Sequence, residues 1–198
     1  MEPRGSGGAA GARARRLAPH LAGDVIVFRH ADPRFPFLWE SPEQPSARWH
    51  LVGEGPVQYL ADTPDGAWAE LLRHEEITEP EDLSGVRRSL WAVELPEPPT
   101  AEPKLPATVL HGPPSSHPRC RREAARLRSH GVDGLRAPSA ALLPGGATGW
   151  RVDGGLQPGQ DRDGVVFALF GPRPELVGWR AVEAGHPAAE LLDRVRHF

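Results

Sequence analysis

Five polar residues, dispersed along the chain, are of types that can act together on an anionic ligand. They are Arg29, Arg48, Tyr59, Glu70 and Ser139. Arginine carries a permanent charge and can bind an anion through two parallel hydrogen bonds. The stretch 48–72, which reads RWHLVGEGPVQYLADTPDGAWAELL, contains three of the five. It predicts a site in which an arginine binds an anion and a carboxylate faces it.

The motifs of several common site types are absent from the sequence. The segment Gly53-Glu54-Gly55-Pro56 lacks the third glycine of a dinucleotide fingerprint and the Lys-Ser/Thr of a P-loop, so it is interpreted as a turn. There is no Gly-x-Ser-x-Gly elbow. The histidines form no i,i+4 pair, and His117 with Cys120 makes only half of a zinc site. We therefore expect no metal.

Composition predicts one soluble domain. The chain has 198 residues and a net charge of −3, so no global field favours nucleic acid or a membrane surface. The single cysteine, Cys120, cannot form an internal disulfide, which is typical of a reducing compartment and predicts a cytoplasmic protein. Residues 1–22 contain little to bury and no apolar signal core, so we expect a flexible tail followed by a domain at 23–198.

The elements around the first four residues can be predicted from local patterns. The β-branched run 25–28 predicts a buried strand that ends in Arg29, and the proline-containing segment 31–47 predicts a loop. A second strand is expected at Val57–Ala61. Thr63-Pro64 is a typical helix opening, and the helix is expected to reach residue 76. Its predicted apolar stripe consists of Ala67, Trp68, Leu71 and Leu72, with Glu70 at the edge.

The second half of the chain predicts further short strands and helices. A third strand is expected at 89–95, and the proline-rich segment 96–118 is expected to be an irregular surface connection outside the core. Other expected elements are a helix at 119–129 closed by Gly131, a strand at 132–137 before Ser139, a glycine-rich loop at 143–155, a β-hairpin of 164–170 with 175–182 around Gly171-Pro172, and a terminal helix at 187–198 with Leu191, Leu192 and Val195 inward. The sum is an α+β domain.

The order of the five residues resembles the RES domain family, which is named for its Arg, Glu and Ser. The matching segments are Phe28-Arg29, Arg48-Trp49, Tyr59-Leu60-Ala61, Ala67 through Glu70, and Pro138-Ser139 after GVDGLR at 131–136. The resemblance extends over about residues 24–182. There are two departures. His50 stands where the family often has asparagine, and Ser46-Ala47 replaces paired glycines.

The resemblance implies a single α+β domain with an ADP-ribosyltransferase-like (diphtheria-toxin-like) split β-sheet and flanking helices. It also implies cleavage of the nicotinamide–ribose bond of NAD, which serves as substrate, with water or phosphate as acceptor. Transferred by position, the implied catalytic residues are Glu70, Arg48 and Tyr59. The implied NAD-binding residues are Arg29, Arg48, Trp49, His50, Tyr59 and Ser139.

The chemistry of this reaction agrees with these residue types. Cleavage leaves positive charge on the ribose, and an anionic side chain held against it favours the transition state. No metal is needed, because nicotinamide leaves as a neutral base. Taken one at a time and without the resemblance, the five residues favour ordinary structural roles, but such roles do not explain why all five occur in the order of the family.

Several alternatives remain open at this stage. The protein can be the toxin of a toxin–antitoxin pair whose helix-turn-helix antitoxin covers the cleft, an ADP-ribosyltransferase acting on a protein, nucleic acid or metabolite, or a non-catalytic module that binds NAD or a partner. The oligomeric state is open between monomer and homodimer. The arginine-rich helix at 119–128 is expected to be a solvated face, with docking of an acidic partner or nucleic acid as the alternative.

Overall fold

Eight strands and three α-helices form the described part of the chain, residues 24–198 of a computed structural model. The strands are β1 (Val25–Ala31), β2 (Val57–Ala61), β3 (Arg88–Leu95), β4 (Gly134–Pro138), β5 (Trp150–Val152), β6 (Leu156–Pro158), β7 (Val165–Phe170) and β8 (Val177–Gly185). The α-helices are α1 (Pro64–His74), α2 (Ala107–Leu110) and α3 (His117–Ser129). Short 3₁₀ helices span Pro80–Gly85, Pro114–Ser116 and Ala189–Arg194. The flexible tail predicted for residues 1–22 lies outside the described residues.

Six of the strands form one antiparallel sheet in the order β4-β7-β2-β1-β3-β8. The joint between β1 and β2 is narrow, because Phe28 and Ala61 are the one pair that connects them, whereas β1 pairs with β3 along its whole length. The sheet therefore consists of two three-stranded halves, and β1 and β2 diverge beyond this pair. Strands β5 and β6 form a separate exposed hairpin.

The two faces of the sheet are covered by different parts of the chain. Helix α1 and the 3₁₀ helix Ala189–Arg194 pack on the face that contains Phe28 and Ala61. Helices α2 and α3 cover the other half of the same face. The opposite face, with Val27 and Leu60, is covered by the loop after β1. Side chains alternate between faces along a strand, so Arg29 belongs to the loop side and Tyr59 to the helix side.

Helix α1 forms as its sequence predicts. The Thr63 hydroxyl accepts a hydrogen bond from Gly66 N at 3.0 Å, and Pro64 occupies the first helical position, where no amide hydrogen is needed. The four residues of the predicted apolar stripe are all buried. The helix ends at His74, two residues earlier than predicted. It presents Glu70 at the edge of its buried stripe.

The predicted hairpin of 164–170 with 175–182 is wrong, although both strands exist. Strand β7 pairs with β2 and β4, whereas β8 pairs with β3 at the other edge of the sheet. The chain bends at the turn predicted at Gly171-Pro172, and Gly171 has a φ of +88°. Strand β7 is apolar on both faces and lies inside the sheet, so it takes partners on both sides. A local turn residue does not determine which strands become neighbours.

The predicted surface connection at 96–118 is also wrong in part. It contains α2, whose Val109 and Leu110 are 4% and 8% exposed and pack with Cys120 in the core. The prolines delimit this short helix and do not exclude it, because Pro106 precedes the first helical residue. The segment therefore contributes to the interior.

Three further predictions need correction. Strand β1 continues to Ala31, so Arg29 lies inside the strand and not at its end, and Val25 and Ile26 are exposed. The glycine-rich loop at 143–155 contains β5, which pairs with β6. The terminal α-helix at 187–198 is replaced by the 3₁₀ helix Ala189–Arg194, after which Val195 pairs with Leu142 as a β-bridge. Burial of the three apolar residues predicted to point inward is confirmed. In residues 24–198 there is no helix with the length and apolar character needed to cross a bilayer.

Candidate active site

A cavity of about 320 Å³ lies where β1 and β2 diverge. Residues from both strands, from α1, from the loop before β2 and from the start of α3 line it. Its polar lining consists of Arg29, His30, Ser46, Arg48, Tyr59, Glu70, Arg73, His74 and His117. Four of the five residues singled out in the sequence thus meet at one cavity. The fifth, Ser139, reaches it through Glu70.

Ser139 holds the Glu70 carboxylate from behind. The Ser139 hydroxyl accepts hydrogen bonds from the amides of Ala141 at 3.2 Å and Leu142 at 3.1 Å. Its own proton is therefore directed to Glu70 Oε1, at 3.1 Å. Ser139 is 3% exposed, so little water competes for this bond. The arrangement fixes one oxygen of the carboxylate and leaves the other for the cavity.

Arg29 enters the cavity from the opposite sheet face because the strands are apart there. Its Nη1 donates to Gln58 Oε1 at 2.9 Å, and the same oxygen accepts from Trp39 N at 2.9 Å. Burial lowers the pKa of Arg29 to about 10, and the neighbouring Tyr59 partly opposes this shift. The guanidinium remains charged at neutral pH. Gln58, which is fully buried, was not anticipated as a support residue.

Tyr59 is held by the two residues that follow Arg48. Its hydroxyl accepts from Trp49 N at 3.1 Å and lies 3.0 Å from His50 Nδ1. Burial raises the pKa of Tyr59 above its ordinary value and lowers that of His50, so both groups are neutral near pH 7. His50 is fully buried and lies behind Tyr59, outside the lining of the cavity. Trp49 is 2% exposed and lines a smaller neighbouring cavity of about 40 Å³.

The departures at Ser46, Ala47 and His50 have a structural account. Ser46 and Ala47 line the cavity, and neither has a positive φ, so glycine is not required by the backbone at these positions. Ala47 N donates to His50 O at 3.1 Å, and the Ser46 hydroxyl accepts from Val52 N at 2.9 Å. The loop is therefore closed by its own hydrogen bonds, and His50 supports Tyr59 from the interior.

Arg48 and Arg73 are bound to backbone carbonyls at the end of α2. Arg48 donates to Val109 O at 3.3 Å and to Gly112 O at 3.0 Å. Arg73 donates to the same Gly112 oxygen at 3.0 Å, to His111 O at 2.8 Å and to Ala140 O. Arg73 was not among the residues singled out in the sequence. Its position three residues after Glu70 is the one signal that could have identified it.

The cavity combines positive charge, neutral histidines and one carboxylate. Burial, reinforced by nearby arginines, lowers the pKa of His117 to about 4 and that of His30 to about 3. Both imidazoles are therefore uncharged at neutral pH. The arginines supply the positive charge, and Glu70 supplies the negative charge. Such a site fits an anionic ligand that develops positive charge near the carboxylate. Residues 24–198 contain no group of three or more His, Cys, Asp or Glu that could hold a metal ion.

The arginines of α3 mostly bind within the domain. Arg121 Nε donates to Ala47 O at 2.8 Å, and Arg128 forms a 2.7 Å ion pair with Glu54. Arg126 pairs with Glu123 on the same helix at 2.8 Å. Arg121 and Arg128 therefore attach the loop that carries Arg48 to α3. This use of the arginines favours a structural role of the helix over a nucleic-acid surface.

Comparison with known proteins assigns the chain to a family. The model of the RES domain matches residues 22–150, more than half of the chain. A protein from Pseudomonas putida named Toxin Res is 45% identical over 62 residues, which are 31% of this chain and 40% of that relative's length. The crystal structure of the M. tuberculosis MbcT-MbcA toxin-antitoxin complex contains a chain with a TM-score of 0.57 and 14% identity, and the match covers 86% of this chain and 87% of that one. The last similarity shows the fold alone. By the RES domain match, the chain belongs to the RES domain family.

Proposed function

We propose that this protein cleaves the nicotinamide–ribose bond of NAD, as a glycohydrolase or phosphorylase, and acts as the toxin of a toxin–antitoxin pair. The observation that carries the proposal is the position of Glu70, which Ser139 fixes at 3.1 Å in a cavity that also contains Arg29, Arg48 and Arg73. Membership of the RES domain family supports the same reading.

In this proposal Glu70 is the catalytic residue. Loss of nicotinamide leaves positive charge on the ribose, and a fixed carboxylate stabilises that charge more strongly in the transition state than in the ground state. Because Ser139 occupies one carboxylate oxygen, the other is available to the ribose. The carboxylate does not need to reorient during the reaction, which is the condition under which such stabilisation is largest.

The remaining residues bind and orient the dinucleotide. We assign the pyrophosphate to Arg29 and Arg48, since guanidinium groups match phosphate oxygens in geometry and charge. The ring of Tyr59 is assigned to the nicotinamide. A volume of about 320 Å³ lies at the lower end of the range typical of small-molecule sites, so we assign the nicotinamide, its ribose and the pyrophosphate to the cavity. Trp49 and His50 then act by holding Tyr59 and not by contact with NAD.

The fold proposed for this activity is that of the ADP-ribosyltransferases. The single pair between β1 and β2 divides the sheet into two halves with the cavity at the division, which is the arrangement expected of a split β-sheet. We assign NAD binding to the domain at 23–198. A helix-turn-helix antitoxin that covers the cleft is the proposed partner, and the fold shared with a chain of a solved toxin-antitoxin complex supports this assignment.

Release of free nicotinamide from NAD tests the proposed reaction. We expect wild-type protein to release it and Glu70→Gln to be slower by about 10²–10³-fold, the usual effect of losing one electrostatic catalytic group. Glu75→Gln, at the exposed end of α1, is the matched control and should retain activity. Mass spectrometry of the products separates free ADP-ribose, its phosphate ester and an ADP-ribose adduct on another molecule.

Two results would count against the proposal. Equal nicotinamide release by wild type and Glu70→Gln would remove the catalytic role of Glu70. If folded wild-type protein binds NAD measurably but does not turn it over, the result would favour a non-catalytic binding module over an enzyme.

A further inference from the structure

Arg73 is among the most enclosed charged groups of the domain. Its side chain is 4% exposed, yet it lies at the wall of the cavity. Its terminal nitrogens donate to three backbone carbonyls, those of His111, Gly112 and Ala140. The ring of Phe198 covers the guanidinium at 4.4 Å. None of these carbonyls belongs to α1. His111 and Gly112 follow α2, and Ala140 follows β4, so Arg73 connects α1 to both of these segments.

Arg73 shares an acceptor with Arg48. The Gly112 oxygen accepts from Arg48 Nη2 and from Arg73 Nη2, both at 3.0 Å. Two like charges at one oxygen repel each other, and the negative end of the carbonyl dipole offsets this repulsion. Burial, followed by the charge of Arg48, lowers the pKa of Arg73 to about 10, so both arginines are charged at neutral pH.

The shared carbonyl is held in place by close packing. A Cβ at residue 112 would lie 2.7 Å from Thr108 O and 2.9 Å from the Ser116 side chain, so only glycine fits between α2 and α3. Gly112 N in turn donates to Val109 O at 3.2 Å, and Val109 O is another acceptor for Arg48. The segment 109–112 is therefore a rigid set of acceptors. Arg73 is the residue that fastens this set to the helix of Glu70.

We infer that Arg73 is a positioning residue, which acts on the ligand by holding Arg48 through the shared Gly112 carbonyl. When Arg73 binds 109–112 to α1, the acceptors of Arg48 keep a fixed distance from Glu70. Arg48 uses three of its five N–H donors on Val109, Gly112 and Ser116, which leaves its Nε–H and one Nη2–H for other acceptors. The inference rests on the proposed function for the identity of that ligand, and not for the geometry.

A double-mutant cycle tests whether Arg73 acts through Arg48. Lysine keeps the charge of Arg73 but cannot reach three carbonyls, so Arg73→Lys should raise the KM for NAD about tenfold, the effect of losing a charged hydrogen bond, with little change in kcat. In an Arg48→Met background the same substitution should leave KM unchanged. If Arg73→Lys and Arg48→Met raise KM independently, so that their effects multiply in the double variant, the inference is overturned in favour of an independent role of Arg73. A fall in kcat alone, with KM unchanged, would overturn it in favour of a merely structural role.

Arg173→Lys is the matched control for this cycle. Arg173 is a partly buried arginine that, like Arg73, donates to a backbone carbonyl, here that of Asp133. Its Nε, like that of Arg73, has no partner among the described residues. It does not line the cavity. A similar rise in KM for Arg173→Lys would show that any loosening of the domain produces the effect, and would contradict the inference.

A second measurement does not depend on NAD. Phenylglyoxal modifies accessible guanidinium groups, and mass spectrometry of peptides gives the modification rate of Arg48 alone. We expect this rate to rise about tenfold in Arg73→Lys, following the loss of a charged hydrogen bond, and to stay unchanged in Arg173→Lys. Gly112→Ala, which displaces the shared carbonyl while both arginines remain, should raise it as well. An unchanged rate in Arg73→Lys and Gly112→Ala would overturn the inference, even if NAD proves not to be the substrate.

Discussion

The Ser139 hydroxyl donates a hydrogen bond to Glu70 Oε1 at 3.1 Å, across 69 positions of sequence. The direction of the bond is fixed, since the amides of Ala141 and Leu142 already occupy the lone pairs of the Ser139 oxygen. A turn after β4 thereby orients a carboxylate on α1. This relationship is the basis of the first prediction.

Ser139→Ala should lower kcat for nicotinamide release by about tenfold or more, because a hydrogen bond to a charged group contributes roughly 1.5–3 kcal/mol. The KM for NAD should change little. The two buried amides also lose their acceptor, so the free energy of unfolding should fall by about 1–3 kcal/mol in denaturant titrations. Ser129→Ala, which removes an exposed hydroxyl at the end of α3, is the control. A normal kcat in Ser139→Ala would show that Glu70 does not need this support.

Tyr59 provides a pH test that the composition of the chain makes simple. It is the single tyrosine of the sequence, so tyrosinate absorbance in the native protein comes from this residue alone. Burial raises its pKa above the ordinary value of about 10, and neutral Tyr59 therefore persists when an exposed phenol would ionise. We expect no tyrosinate signal until alkaline unfolding, followed by its abrupt appearance. A smooth titration near the ordinary pKa, with circular dichroism unchanged, would contradict the enclosure of the Tyr59 hydroxyl by Trp49 and His50.

His30 should make the protein less stable in mild acid. Burial and the nearby charges of Arg29 and Arg88 lower its native pKa to about 3, whereas an unfolded histidine has a pKa of about 6.5. As pH falls below about 6.5, the unfolded chain takes up a proton that the native state excludes. The stability contribution is therefore complete above pH 6.5 and falls by up to about 2 kcal/mol near pH 5.

The measurement is the free energy of unfolding as a function of pH for wild type and His30→Gln. The decline between about pH 6.5 and 5 should be smaller in His30→Gln, and His117, whose pKa is lowered to about 4, should account for part of the remainder. His130→Gln, at the exposed end of α3, is the control and should keep the wild-type decline. Identical curves for all three proteins would show that His30 takes up its proton in the native state as readily as in the unfolded chain, which would contradict the lowered native pKa.

The local elements and the family could be predicted from the sequence. The strand Val57–Ala61, the capped start of α1 and its apolar stripe follow from patterns of a few residues, because hydrogen bonding and burial within an element depend on neighbours in the chain. The order of Arg29, Arg48, Tyr59, Glu70 and Ser139 resembled one family, and the RES domain match confirms that membership. The first four of these residues do line one cavity.

Only the tertiary structure decided how these elements meet. It placed β7 and β8 at separate positions in the sheet, since strand partners depend on burial of both faces and not on the turn between them. It buried Val109 inside a proline-rich segment and assigned the carbonyls of that segment to Arg48 and Arg73. Backbone acceptors are present at every residue, so a sequence carries no signal for which of them an arginine will find. That choice required long-range packing.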